Sequence, residues 1–356
     1  MTTINMLSHA DSVQGHGVLT AHDEQVELVR TELSDEFSVL ENAWKPCDIT
    51  HFHTINPDLL LRLPGAKLKG KAVGYVHFLP ETMDRSIRLC PVARAVFYRY
   101  IIWFYKRMDY LVTVNPYFIG RLAAYGVDPT RVTYIPNFVS EKKFFRLPEE
   151  TRRALRLDRG LDPERFTVVC AGQLQKRKGV FDFAEIARAM PELQFVWAGD
   201  YTFGKLSDGR EEIAELIRTA PQNVHFTGLI PHDKMNELYN LADVMFLPSY
   251  DELFPMTILE AMNCRVPILL RDLSLYEGIL SGYYLKGHRS GDFVRELTRL
   301  RDEPAYYEDA ASMAWKGHKF YSRGHVAQLW RQFYKQVSCE NARELSVQAS
   351  KNPFRA

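Results

Sequence analysis

The sequence predicts an α/β protein of two Rossmann-like domains with a cleft between them. The 356 residues exceed the roughly 100–200 residues that are typical of one domain. Short apolar segments alternate with helix-length amphipathic segments, which is typical of strand–helix–strand units in a parallel sheet. Residues 139–163 contain no predicted strand and are rich in charged residues and proline. We therefore place the domain boundary in this segment.

The apolar segments predict two series of strands. In the first domain they are 4–7, 49–53, 72–78, 111–114 and 132–135. In the second domain they are 167–171, 194–198, 224–227, 244–247 and 267–270. Helices are predicted at 293–300, 306–316 and 326–337, the last packing back on the first domain. The predicted domains are residues 1–145 and 146–318, followed by a C-terminal helix, 319–340, and a polar tail, 341–356.

The composition is that of a folded protein of the cytoplasm. The net charge is +1, so no nucleic-acid partner is expected. The five cysteines are scattered without a Cys-x-x-Cys pair, which fits a reducing compartment. The N-terminus lacks the apolar core of a signal peptide. The longest apolar stretch, 95–105, contains Arg99 and is shorter than the roughly 20 residues that span a bilayer. Oligomeric state is not predicted.

Two carboxylates follow a predicted strand of the second domain. The segment 249–262 begins after strand 244–247 and becomes helix-like, so it lies where open α/β sheets bind ligands and where a helix N-terminus favours a phosphate. Glu252 precedes this helix and Glu260 lies within its second turn. Together they suit a ligand with hydroxyls and a central diphosphate, such as a nucleotide sugar. The alternative is two solvated acids placed near the helix N-terminus by the helix dipole.

A basic turn follows strand 167–171. It contains Lys176, Arg177 and Lys178 before Gly179. A cation at the end of a parallel strand can neutralise the charge that builds on a departing diphosphate, and Lys178 is our candidate for this role. A solvated turn is the alternative.

In the first domain, Gly15 and Gly17 follow the first strand, where glycine lets a backbone approach a phosphate or sugar. His77 ends the strand 72–78 and is predicted to face the cleft. His51 and His53 share one face of a strand like a pair of metal ligands. No third ligand is apparent, so packing is the favoured interpretation.

The spacing of Glu252 and Glu260 resembles the Glu-x7-Glu signature of the retaining GT-B glycosyltransferases, and the resemblance extends along the whole chain. It implies that Glu252 faces the donor sugar, that Glu260 holds the ribose hydroxyls, and that Lys178, Phe254 and His77 belong to the site. Further residues implied for the donor are Gly15, Gly17, Gln173, Arg177, Gly228 and Leu229.

The resemblance also carries differences and a mechanism. Leu253 and Pro255 stand where many members have glycine, and Gln173 stands where arginine is usual, with Arg177 as a candidate to supply the charge. The family mechanism retains the anomeric configuration: the acceptor hydroxyl attacks from the face that UDP leaves. The chain contains no Asp-x-Asp motif, so no divalent metal or other cofactor is expected besides the UDP-sugar substrate.

A basic and aromatic segment is predicted to contact an anionic membrane. Residues 85–107 contain no acidic side chain, and each basic residue near anionic lipid contributes about 1 kcal/mol. Interfacial tryptophan adds anchoring. The alternative is a partly buried core helix, because Val92, Val96 and Trp103 fall among the basic residues of this face. The candidate membrane residues are Arg85, Arg88, Arg94, Arg99, Trp103, Lys106 and Arg107.

Three segments, 74–82, 104–116 and 134–140, resemble bacterial glycolipid synthases that extend glucosyl-diacylglycerol. This implies UDP-galactose or UDP-glucose as donor, monoglucosyl-diacylglycerol as acceptor, and a dihexosyl lipid of a Gram-positive membrane as product. It also implies a peripheral location on the inner face of the cell membrane. A soluble or cell-wall acceptor, a sugar-nucleotide epimerase, and a catalytically silent membrane-bound UDP-sugar binder remain as alternatives.

Overall fold

A computed structural model describes residues 1–9, 17–80, 90–201, 209–252 and 254–351, with the backbone alone at 17–20 and 344–351. The chain divides into two compact units. Unit 1 consists of Met1–Phe138 and Arg323–Ala356, and unit 2 of Val139–Ser322. Among the described residues, no helix is both long enough and apolar enough to cross a membrane.

Each unit contains one six-stranded sheet whose strands all pair in parallel. The strands of unit 1 are β1 (Thr2–Leu7), β2 (Phe37–Glu41), β3 (Ile49–Phe52), β4 (Lys71–Val76), β5 (Tyr110–Thr113) and β6 (Val132–Tyr134). Those of unit 2 are β7 (Thr167–Ala171), β8 (Gln194–Ala198), β9 (Val224–Gly228), β10 (Val244–Leu247), β11 (Ile268–Arg271) and β12 (Leu285–Gly287). The orders are β2-β1-β3-β4-β5-β6 and β12-β11-β10-β7-β8-β9. Two Rossmann-like sheets are thereby confirmed.

The helices complete the strand–helix alternation. They are α1 (Gly17–Glu32), α2 (Leu63–Lys69), α3 (Pro91–Arg107), α4 (Tyr117–Ala124), α5 (Glu149–Asp158), α6 (Val180–Ala189), α7 (Arg210–Arg218), α8 (Met235–Leu241), α9 (Met256–Asn263), α10 (Ser290–Asp302), α11 (Pro304–Phe320) and α12 (Arg323–Lys351).

The unit boundary precedes the predicted one at 145/146 because the segment after Val139 packs on unit 2. The Leu147 amide donates to Asn240 Oδ1 at 2.8 Å, and Asn240 Nδ2 donates to the Phe145 carbonyl at 2.9 Å. At the other end, the Tyr321 hydroxyl donates to the Ile279 carbonyl, so unit 2 extends to Ser322 rather than residue 318.

The two faces of the unit 1 sheet are covered by different helices. Side chains alternate along β3. The His51 ring lies 5.5 Å from that of Trp330 on α12, whereas the Phe52 ring lies 5.9 Å from that of Phe104 on α3. Helices α12 and α3 therefore cover opposite faces.

Candidate donor-binding site

The carboxyl ends of three strands of unit 2 carry the residues that the sequence singled out. In the order β10-β7-β8-β9, β10 and β7 are neighbours, and β9 is one strand beyond β8. Carboxyl ends of parallel strands lie at one edge of a sheet, where ligands bind in this class of fold. The loops after β10, β7 and β9 therefore share this edge of unit 2.

The turn after β7 is built on glycine. A short 3-10 helix, Lys176–Lys178, leads to Gly179, whose φ is +76°. A Cβ atom on Gly179 would overlap with the carbonyl oxygen of Pro248 after β10. The backbone of this turn therefore approaches the neighbouring loop more closely than any other residue would allow.

This approach brings two predicted catalytic residues together. Lys178 Nζ forms an ion pair with Glu252 Oε1, and the two side chains are 12% and 6% exposed. Each charge offsets the other in a place with little solvent, so the loss of one would leave the other buried without a partner. A negatively charged ligand is the natural competitor of Glu252 for Lys178.

Arg177 holds the loop that carries Glu252. Its Nη1 donates to the Asp251 carbonyl at 3.2 Å and its Nε donates to Gln175 Oε1 at 2.8 Å. The Tyr250 amide donates to the Arg177 carbonyl at 2.8 Å. Gln173 is half-buried in the same loop. The guanidinium of Arg177 is thus engaged by the protein itself, and its role as a substitute for the usual arginine stays a prediction.

Glu260 is held by a residue that the sequence analysis missed. Its Oε2 accepts a hydrogen bond of 2.5 Å from the hydroxyl of Tyr239 on α8, and both side chains are buried. Its Oε1 lies 3.8 Å from His232 Nε2. Burial, and then the Glu260 carboxylate, raise the pKa of Tyr239 well above its usual value. Tyr239 therefore stays protonated and keeps one oxygen of Glu260 occupied. No spacing or motif in the sequence of α8 predicts this contact.

The remaining predicted donor residues differ in their surroundings. Phe254 is buried, with its ring 5.0 Å from that of Tyr321, so it packs the base of the loop. Gly228 ends β9 with a φ of +70° and open space where a Cβ would stand. Leu229, which follows it, is exposed. The Gly228 carbonyl accepts hydrogen bonds from the Gly199 amide at 2.9 Å and from Thr227 Oγ1 at 3.1 Å, and contact of Gly228 and Leu229 with a base stays a prediction.

The candidates of unit 1 divide into described and undescribed positions. Gly15 lies outside the described residues, and Gly17 is the first residue of α1. His77 follows β4, with its ring stacked 4.1 Å from that of Tyr75. Burial lowers the pKa of His77 from 6.5 to about 3, so its imidazole is neutral at physiological pH. Its Nε2 is buried and has no hydrogen-bond partner in the part of the chain that the structure describes. Whether His77 contacts a donor sugar stays a prediction.

His77 belongs to a layer of buried histidines between the sheet and helices α1 and α12. We call His22, His51, His53 and His77 the histidine layer. The rings of His51 and His53 lie 4.4 Å apart, and that of His22 lies 4.8 Å from His53. Burial lowers the pKa values of His51 and His53 well below 6.5. The shared face of His51 and His53 is a packing face, as favoured, and no metal-binding cluster of three such ligands occurs in the described part of the chain.

A chain of hydrogen bonds crosses this layer. Gln25 Nε2 donates to the Tyr334 hydroxyl at 2.8 Å, and that hydroxyl shares a hydrogen bond of 3.1 Å with His51 Nδ1, whose direction depends on the His51 tautomer. His51 Nε2 is buried and has no hydrogen-bond partner among the described residues. The layer is thus polar, buried and uncharged at His51, His53 and His77.

The predicted membrane segment forms α3, apart from Arg85 and Arg88, which lie outside the described residues. One side of α3 is buried at Ile101, Phe104 and Tyr105. The other side is exposed and contains Val92, Val96, Arg99 and Trp103 at spacings of four, three and four residues. Arg94, Lys106 and Arg107 are also exposed, with the Arg107 guanidinium 4.8 Å from the Trp103 ring. The apolar residues that interrupt the basic face are therefore themselves exposed.

Two Rossmann-like units, one with a buried cation beside a carboxylate at its strand ends, are the arrangement expected of a nucleotide-sugar glycosyltransferase of the GT-B class, and the comparisons with known proteins show this class. Residues 151–316 match the family model for glycosyl transferases group 1, and residues 34–143 match that for glycosyltransferase family 4. The chain is 43% identical over 332 residues to an alpha-galactosylglucosyldiacylglycerol synthase of Streptococcus pneumoniae, covering 93% of this chain and 89% of that one. The chain therefore belongs to the glycosyl transferases group 1 family.

More distant similarities agree with the fold. A processive diacylglycerol alpha-glucosyltransferase of Acholeplasma laidlawii is 26% identical over 76% of this chain and 79% of its own. A crystal structure of an Anabaena protein in complex with UDP and glucose superposes with a TM-score of 0.73 at 15% identity, covering 95% of this chain and all of that one.

Proposed function

We propose that this protein transfers galactose or glucose from a UDP-sugar to monoglucosyl-diacylglycerol, forming a dihexosyl-diacylglycerol with retained configuration. The observation that carries the proposal is the 43% identity to the Streptococcus pneumoniae synthase over 93% of this chain, because a match of that length includes both units. The Acholeplasma laidlawii relative is also named for transfer to diacylglycerol.

The donor chemistry follows from the Lys178–Glu252 ion pair. In our proposal the diphosphate of the donor replaces Glu252 as the ion-pair partner of Lys178. The carboxylate of Glu252 is then free to accept hydrogen bonds from the sugar. Glu260, with one oxygen held by Tyr239, offers the other to the ribose. The N-terminus of α9 adds backbone N–H donors and the positive end of a helix dipole.

The transfer step is balanced without an external base. The bond from the anomeric carbon to the diphosphate breaks, and a bond from that carbon to the acceptor oxygen forms on the same face. The acceptor proton passes to a phosphate oxygen of the departing UDP. Lys178 stabilises the charge that develops on this leaving group. The mechanism requires no divalent metal, and unchanged transfer after EDTA treatment is the expected result.

The membrane proposal rests on the exposed side of α3. Exposed apolar patches on soluble-type folds mark interaction sites, and this one combines Trp103 and two valines with Arg99, Lys106 and Arg107. We expect this side to lie on the anionic inner face of the cell membrane, where the acceptor lipid is found. Ser substitutions at Val96 and Trp103 should weaken binding to anionic vesicles.

The test is UDP release from UDP-galactose and from UDP-glucose, each with and without vesicles that contain monoglucosyl-diacylglycerol. The proposal expects release that requires one of the two donors together with the glycolipid. Release without dependence on lipid would indicate a soluble acceptor, and conversion of the UDP-sugar without an acceptor would indicate an epimerase. UDP binding without any release would indicate a silent binder.

A further inference from the structure

Unit 1 exposes a second apolar surface outside α3. Trp44 is 73%, Leu61 73% and Leu68 82% exposed. Leu61 and Leu68 are seven residues apart in a continuous helical segment formed by a 3-10 helix, Pro57–Arg62, and α2, so they lie on one side of it. Several large apolar side chains exposed in one short region mark an interaction site.

Trp44 contacts this helical segment at Arg62, whose guanidinium lies 4.4 Å from the Trp44 ring centroid. Pro46, two residues after Trp44, lies beside α2, because a Cβ built on Gly65 would stand 3.5 Å from Pro46 Cγ. Arg62 is itself fixed, because its Nη1 donates to the carbonyls of Asn42 and Ala43 at 2.7 and 3.0 Å. Trp44 is therefore held beside the helical segment that exposes Leu61 and Leu68, and we call these three residues the Trp44 patch.

The Trp44 patch is bordered by cations. Lys45, Lys67 and Lys69 are exposed beside its three apolar residues. Lys67 pairs with Asp109 at 2.9 Å, whereas Lys45 and Lys69 form no ion pair with a described acidic side chain. An indole, two leucines and lysines are the combination that binds the boundary between lipid head groups and acyl chains.

The helical segment of the patch lies next to α3. The Tyr100 hydroxyl of α3 donates to the Ile55 carbonyl at 2.5 Å, just before the 3-10 helix, and the Asp109 partner of Lys67 follows the end of α3. Strands β3, β4 and β5 are parallel neighbours, and right-handed crossovers place both connecting helices, α2 and α3, on the same face of the sheet.

We infer that the Trp44 patch is a second membrane-contact surface of unit 1, which binds the interfacial region of an anionic bilayer together with α3. The inference rests on the proposed function, since it names a further part of the surface that meets the lipid acceptor's membrane. Two contacts on one face orient the unit relative to the bilayer, whereas a single helix would leave it free to rotate about the helix axis.

The experiment compares vesicle binding of full-length variants. The probe is a vesicle of phosphatidylcholine with phosphatidylglycerol, against phosphatidylcholine alone. We expect the double variant Leu61→Ser, Leu68→Ser to bind the anionic vesicle about tenfold more weakly. Leu157→Ser is the matched control, because Leu157 is an exposed leucine of unit 2, 62% accessible. It should bind like the unaltered protein. Transfer to a detergent-dispersed acceptor should be the same in both variants as in the unaltered protein.

A second measurement reports the contact directly. Quenchers attached to lipid acyl chains should reduce tryptophan fluorescence, and the reduction should be smaller in Trp44→Phe. Unaltered binding and quenching in these variants would overturn the inference, while loss of binding in Val96→Ser, Trp103→Ser would leave the α3 proposal standing. A lipid-free dimer that Trp44→Phe dissociates would also overturn it, in favour of a contact between copies. If the unaltered protein does not bind anionic vesicles, both proposals fall.

Discussion

The two units use one architecture with two distributions of charge. Each has a six-stranded parallel sheet with polar side chains in its interior. Unit 2 buries charges in pairs, as in Lys178 with Glu252 and in Arg271 with Asp182 at 2.9 Å. Unit 1 instead buries the histidine layer, in which burial keeps His51, His53 and His77 neutral by lowering their pKa values, and exposes Lys45 and Lys69, which form no ion pair with a described acidic side chain. Buried charge suits the binding of a diphosphate, whereas exposed charge suits contact with a membrane surface. The distribution of charge in each unit therefore matches the partner that we propose for it.

The largest expected effect concerns the charge pair of unit 2. Lys178→Ala and Glu252→Ala should each reduce transfer by more than about 100-fold, because a preorganised charge at a leaving group is worth that much. UDP-sugar turnover is the measurement. Lys176→Ala is the matched control, since Lys176 lies in the same turn but pairs with Glu212 on the surface, and it should be nearly fully active.

Both site variants should remain folded by circular dichroism, with a lowered melting temperature because each leaves one buried charge unpaired. Near-normal activity in either variant would show that the buried charge pair of unit 2 does not serve the donor.

A pair of glycine substitutions compares the tolerance of the two units. Gly179→Ala should destabilise unit 2 by more than about 1–2 kcal/mol, the cost of a left-handed conformation for a non-glycine residue, because its Cβ also meets the backbone of Pro248. Gly74→Ala in unit 1 should cost less, since its Cβ would meet side chains of Met108 and Leu111. Urea unfolding measures both. A larger effect at Gly74 would show that the turn of unit 2 can relax.

Acid should weaken unit 1 before unit 2. The unfolded chain protonates histidine near pH 6.5, whereas the folded-state pKa is well below 6.5 for His51 and His53 and about 3 for His77. The contribution of these neutral histidines to the stability of unit 1 is fully present above pH 6.5. It is lost as the pH falls from 6.5 towards their folded-state pKa values. Each histidine contributes up to about 1.4 kcal/mol per pH unit.

Hydrogen-exchange protection factors at pH 7 and pH 5 measure this difference. Peptides from β3 and β4 should lose more protection than peptides from β7 and β10. Partial burial also lowers the pKa values of His225 and His318 in unit 2, but His318 faces Glu141 at 3.7 Å, which favours its protonated form. Equal losses in the two units would contradict the comparison.

The smallest expected effect is at Tyr239. Tyr239→Phe removes the hydroxyl that holds Glu260, so the preference for UDP over 2′-deoxy-UDP should fall by about tenfold, the value of a hydrogen bond to a charged group. Calorimetric titration gives both dissociation constants. Tyr284→Phe is the control, because the Tyr284 hydroxyl donates to another carboxylate, Asp272, at 3.3 Å. Equal weakening for both nucleotides would reduce Tyr239 to a structural role.

Ten of the twelve described strands could be predicted from sequence, and β2 and β12 could not. Each predicted strand overlaps an observed one, as with 167–171 and β7. The missed strands lie at sheet edges with one buried residue each, Phe37 and Gly287, whereas a buried parallel strand carries an apolar run. Edge position alone does not explain the difference, because the other two edge strands, β6 and β9, have one buried residue and none, and both were predicted.

The site was predictable where chemistry depends on spacing along the chain, and not where it depends on packing between elements. Lys178 and Glu252 each follow a strand, so strand position alone indicated that they share an edge. Tyr239 reaches Glu260 from a different helix, and His22 joins the histidine layer from α1. Arg177 was predicted to meet the ligand, but its engagement by the Asp251 carbonyl depends on loop geometry that no motif encodes.

We propose above all that this protein is a retaining hexosyltransferase acting on a glycolipid. Its most direct test is the anomeric coupling constant, measured by NMR, of the lipid formed from a UDP-hexose and vesicles containing monoglucosyl-diacylglycerol. We predict a dihexosyl-diacylglycerol whose new linkage is α, as in the donor, and no such lipid from Lys178→Ala. A β linkage would contradict retention, and the absence of any lipid product with both donors would contradict the proposed acceptor.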